Sequence, residues 1–109
     1  NNADRKGGHC LEGKDGRVWC IDHGLTFHAR YKLRTVIWDF CDEPVPPDLL
    51  ADLRALRPRL ESPDSLESAL MELLTPEEVR ALRRRLDFLL EKGAYPSPGP
   101  ERHFPWPLV

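Results

Sequence analysis

Asn2-Ala3-Asp4-Arg5-Lys6-Gly7-Gly8-His9, answered further along by Ile21-Asp22-His23-Gly24, is the stretch on which the rest of the chain depends. An aspartate opens a loop, and a side chain able to hold a metal stands five positions on. A short hairpin follows, and an Asp-x-Gly turn closes the series. The layout suits a phosphoryl-transfer centre. Such a centre needs an acceptor hydroxyl held in line and the phosphate charge neutralised, and little covalent chemistry from the protein. Asp4 is the candidate catalytic carboxylate, orienting the acceptor hydroxyl and taking its proton. Arg5 and Lys6 beside it are candidates to neutralise the transferred phosphate. Asp22 ends an apolar run, Val18 to Ile21, and would hold Mg²⁺ bridging the phosphates of ATP, while Gly24 turns the backbone away. Both aspartates also fit plain turn positions, and an Asp-x-Gly alone is not specific.

In protein kinases the catalytic loop reads Asp-x-x-x-x-Asn and the metal aspartate opens Asp-Phe-Gly. Here His9 takes the asparagine position and His23 the phenylalanine position. A neutral imidazole offers a nitrogen where an amide offers oxygen, which suits Mn²⁺ better than Mg²⁺. A histidine bound to its own loop backbone fits the sequence equally well. His9, Cys10, Cys20, His23, His28 and Cys41 also invite a zinc reading through Cys20-x-x-His23. No second close pair completes four ligands.

A chain of 109 residues supplies one domain at most. The formal charge of −2 gives no global positive field, which argues against nucleic acid as a partner. Arg80, Arg83, Arg84 and Arg85 cluster, and on a helix they read as a solvated face. Three cysteines in no framework spacing read as reduced thiols of a cytoplasmic protein, with Cys10 and Cys20 as packing residues. No apolar run approaches a membrane span.

His9 to Ile21 reads as a hairpin around Gly13-Lys14-Asp15-Gly16, with two-, three- and four-residue loops all open. Leu33 to Phe40 is β-branched and aromatic, and its period does not separate strand from helix. Pro46-Pro47-Asp48 opens a helix with Leu49, Leu50, Leu53 and Leu56 on one face, stopped by Pro58; a shorter helix follows over Ser65–Leu74. Thr75-Pro76-Glu77-Glu78 is a full helix start, and Val79, Leu82, Leu86, Leu89 and Leu90 form a stripe ending at Lys92-Gly93. Proline recurs from Pro96 to Pro107 and excludes regular structure there, with Phe104 and Trp106 expected to dock the tail.

These blocks, with Leu25-Thr26-Phe27-His28, Lys32-Leu33-Arg34-Thr35-Val36-Ile37-Trp38, Glu43-Pro44, Glu78-Val79 and Pro105-Trp106-Pro107, resemble an uncharacterised bacterial family distantly related to phosphatidylinositol 3- and 4-kinases. The resemblance implies an α+β, kinase-like C-lobe, with a short hairpin carrying the catalytic and metal loops packed on a helical part. It places the N-lobe, with its phosphate-binding lysine, upstream of residue 1. It implies Asp4 as the catalytic-loop aspartate, Asp22 as the metal aspartate, and ATP with Mg²⁺ or Mn²⁺ as cofactors. The partners are then a nucleotide and an acceptor of unspecified class, with Lys32 and Arg34 as further candidates for acceptor contacts. Segments are expected at 1–45 for the catalytic and metal loops, 46–93 for the helices and 94–109 for the tail, the piece alone being inactive. Two rivals stand beside the kinase: a pseudokinase or nucleotide-binding interaction module, and a small metal-binding domain.

Overall fold

A computed structural model describes residues 1–108, in the order of a two-stranded antiparallel hairpin and then three helices, an α+β chain. It divides into two units, Asn1–Asp39 joined by the tail from Pro98, and Phe40–Ser97. These units have other bounds than the expected segments 1–45, 46–93 and 94–109, with residues from Pro98 grouped with the first unit. Val109, the end of the expected tail segment, lies outside the described residues.

In the first unit, β1 (Cys10–Glu12) pairs with β2 (Val18–Cys20) in the register Cys10↔Cys20, Leu11↔Trp19, Glu12↔Val18. The Gly13–Arg17 pair closes the hairpin over a three-residue loop, Lys14 to Gly16, one of the lengths the sequence leaves open. The Gly13 amide donates to the Arg17 carbonyl at 2.8 Å, and Gly16 takes a φ of 76°, a left-handed turn conformation in which glycine has no steric penalty. Leu33–Phe40 forms neither strand nor helix. Thr35 alone bridges Arg5 in parallel, through Arg5 N–H to Arg34 carbonyl at 3.1 Å and Val36 N–H to Arg5 carbonyl at 3.1 Å. A strand needs a partner along its length, and here the partner turns away into the Lys6–His9 loop.

Backbone, more than aromatic burial, fixes the tail. The His103 carbonyl accepts from the Thr35 amide at 3.0 Å and from the Trp38 indole at 3.2 Å, and Pro105 is buried. Trp106 stays 77% exposed, so the expected docking by that ring is corrected; its indole gains no cover while the polar contacts one turn earlier hold the chain.

In the second unit, α1 runs Pro47–Arg59, α2 Ser65–Leu73 and α3 Pro76–Lys92. Thr75 and Glu78 form a reciprocal capping box, at 3.2 and 2.8 Å, and Gly93 closes α3 with a φ of 65°. Asp64 caps α2 by accepting from the Leu66 amide at 2.8 Å. Val45, Leu60, Val79, Ala81 and Leu86 are the buried apolar side chains. Arg57 of α1 reaches Asp87 of α3 through two nitrogens and Glu61 at 2.8 Å. Arg83 corrects the solvated-face expectation: it donates to the Leu60 carbonyl and pairs with Glu67 at 3.2 Å. No helix among the described residues is long and apolar enough to cross a membrane.

Candidate metal and phosphate site

Asp4 and Lys6 sit where the chain leaves the Arg5–Thr35 bridge. Gly7–His9 then makes one 3₁₀ turn, with the His9 amide donating back to the Lys6 carbonyl at 3.1 Å. That turn swings His9 over Asp4, so that the imidazole Nδ1 meets the Asp4 carbonyl oxygen at 2.8 Å. A carbonyl only accepts, so Nδ1 carries a proton. In the neutral ring the lone pair is therefore at Nε2, the arrangement in which a backbone partner fixes a ligating tautomer. Nε2 faces an Asp22 carboxylate oxygen at 3.5 Å. Two acceptors face each other there, and a proton or a cation between them relieves the repulsion.

Asp22 reaches this position from the other end of the hairpin with a φ of 57°. The left-handed region costs an ordinary L-residue roughly 1–2 kcal/mol, least for Asn and Asp. One oxygen of Asp4, one nitrogen of His9 and one oxygen of Asp22 all lie within 4.8 Å of one another. Asp4 and His9 are part-buried, and Asp22 is exposed.

Lys6 is buried, and its Nζ lies 3.1 Å from Asp4 Oδ1. An ammonium removed from water needs a charged partner, and Asp4 supplies it. Arg5 faces elsewhere. Its Nη1 donates to the His9 carbonyl at 3.1 Å and the Ile21 carbonyl at 2.9 Å, and its Nη2 meets His23 Nδ1 at 3.0 Å. Both Nη1 protons are thus engaged on backbone. Arg5 ties together the two strand ends that carry His9 and Asp22. His23 Nε2 in turn donates to the Cys20 carbonyl at 2.9 Å, which occupies the ring nitrogens that a Cys20-x-x-His23 zinc pair would require. The cysteines take no part in the one converging group found among the described residues. Arg34 has a buried Nε with no hydrogen-bond partner, and the Lys32 amide donates to Asn1 Oδ1 at 2.7 Å.

Sequence spacing brought Asp4, His9 and Asp22 into view together. It gave no sign of the burial of Lys6 or of the bracing by Arg5. The one available signal was an arginine five residues before a strand, and that is common.

The donor set fits a divalent cation. Two carboxylates and an imidazole whose tautomer is fixed by its backbone partner are donors of the kind that can hold such an ion. The chain is similar to Protein Rv2133c of Mycobacterium tuberculosis (strain ATCC 25618 / H37Rv), at 44% identity over 107 residues. The match takes in 98% of this chain but spans only 38% of the relative's length. No protein-family model matches the chain. No solved structure matches it either.

Proposed function

We propose that this chain carries the acceptor- and metal-binding part of an ATP-dependent phosphotransferase of the phosphatidylinositol 3-/4-kinase-like type. The observation that supports this most is the convergence of Asp4, His9 and Asp22 within 4.8 Å, with the buried Lys6 ammonium on Asp4. Asp22 and His9 would hold Mg²⁺ or Mn²⁺, which when bound neutralises charge on the nucleotide phosphates. Asp4 has one oxygen on Lys6, leaving the other to orient an acceptor hydroxyl and receive its proton late in transfer. Lys6 places a positive charge beside that carboxylate, where the transferred phosphoryl oxygens would lie. Arg5 acts through His9 and Ile21 as a positioning residue. Such an enzyme also needs a phosphate-binding lysine and a nucleotide hinge, and this chain spans only 38% of the length of the relative it matches.

In the full-length protein, ADP formation dependent on Mg²⁺ or Mn²⁺ is expected to fall on the order of 100-fold or more in Asp22→Asn. Asparagine tolerates the left-handed turn, so the fold is retained. Undiminished turnover in that variant would overturn the assignment. Nucleotide-dependent thermal stabilisation without any turnover would identify a pseudokinase instead, the alternative that the histidine at position 9 favours.

A further inference from the structure

Cys10 and Cys20 are direct cross-strand partners in the hairpin, and both thiols are free. The ladder fixes what kind of rung they occupy. The Ile21 amide donates to the His9 carbonyl at 2.9 Å, and the Gly13 amide donates to the Arg17 carbonyl at 2.8 Å. Hydrogen-bonded pairs therefore fall at 9/21, 11/19 and 13/17, and Cys10/Cys20 lies on a non-hydrogen-bonded rung between two of them. On such rungs opposite Cα atoms approach to about 4.5 Å and the side chains are closest. That separation lies inside the roughly 4.4–6.8 Å window that a disulfide spans. Both side chains leave the same face of the hairpin, and Cys20 is exposed to solvent.

We propose that Cys10 and Cys20 are a dithiol pair that forms a reversible cross-strand disulfide, a covalent modification site on the rung next to His9. The oxidant is a low-molecular-weight disulfide. The exposed Cys20 thiolate attacks it, forming a mixed disulfide and expelling one thiolate. Cys10, deprotonated, then attacks the Cys20 sulfur, forming the internal bond and expelling the second thiolate. Two protein thiols lose two protons and two electrons, and the small disulfide is reduced to two thiols. The bond closes the rung between Cys10 and Cys20, beside the one that Arg5 ties through the His9 and Ile21 carbonyls. An exposed disulfide of this kind belongs to the labile, regulatory class. The proposal depends on the strand register alone and stands or falls apart from the phosphotransferase reading.

The test equilibrates the full-length protein in mixtures of reduced and oxidised glutathione, followed by acid quench, alkylation and peptide mapping. The expected result is a Cys10–Cys20 linked peptide, lighter by two hydrogens than the reduced pair, that returns to thiols as reduced glutathione rises. Cys41→Ser should leave it unchanged, and Cys10→Ser should trap glutathione on Cys20. Wild-type protein that keeps glutathione on Cys20 without the internal bond would overturn the proposal. So would pairing with Cys41 or linkage between two copies.

Discussion

Replacing the buried ammonium of Lys6 tests whether the charge on Asp4 is held by that partner. Across 3.1 Å the gross attraction is about 5 kcal/mol at an effective dielectric of about 20. Most of it offsets desolvation, since the Lys6 side chain is only 11% exposed. Asp4 is 28% exposed, so solvent screens its half of the pair and brings the value below that of fully buried pairs. Lys6→Met, which keeps most of the aliphatic stem, should therefore cost about 2 kcal/mol, and Asp4→Asn a similar amount, each stranding one charge. The double variant should cost less than the sum by about 1–2 kcal/mol, more than the coupling of an exposed pair. Urea unfolding of the four proteins, followed by tryptophan fluorescence, closes the cycle, because Trp19, Trp38 and Trp106 all lie in the unit that holds the site. Costs that add to within about 0.3 kcal/mol would refute the coupling and leave Lys6 as packing.

Thr75→Ala should destabilise the helical unit by about 1 kcal/mol in urea unfolding followed by far-ultraviolet circular dichroism, because the Glu78 amide loses its side-chain acceptor. Asp87 is held below the usual carboxylate range, chiefly by its hydrogen bonds from Arg57. Its contribution is present above the ordinary aspartate pKa and is lost as pH falls through the lowered folded-state value. Asp87→Asn should thus cost under about 1 kcal/mol at neutral pH, an exposed-pair value, and nothing once the carboxyl is protonated in both states. A cost independent of pH would show that the side chain acts through packing.

The last helix was fully written in the sequence. Thr75, Pro76, Glu78 and Gly93 each act through backbone groups within a few residues, so local chemistry is enough. The hairpin was legible as an element but not in its loop, because several turn geometries satisfy Gly13-Lys14-Asp15-Gly16 equally. Leu33–Phe40 misled because β-branched residues make a strand only when a neighbour runs alongside, and Arg5 does so for a single bridge. The tail misled for a related reason: its anchor is the His103 carbonyl, an atom every residue has. At the site, spacing exposed Asp4 as a candidate catalytic carboxylate and His9 and Asp22 as candidate ligands, but gave Arg5 and Lys6 the same provisional role. Only the 3₁₀ turn separates them, sending Lys6 towards Asp4 and leaving Arg5 on the carbonyls of His9 and Ile21. The protonated Nδ1 of His9 follows from the same turn and has no counterpart in the one-dimensional pattern.

The most direct measurement is Mn²⁺ binding to the full-length protein by electron paramagnetic resonance, comparing wild type with Asp22→Asn and His9→Ala. The account predicts a bound Mn²⁺ in the wild type that each substitution weakens by about 10-fold or more. Undiminished binding in both variants, or no binding in the wild type, would contradict it.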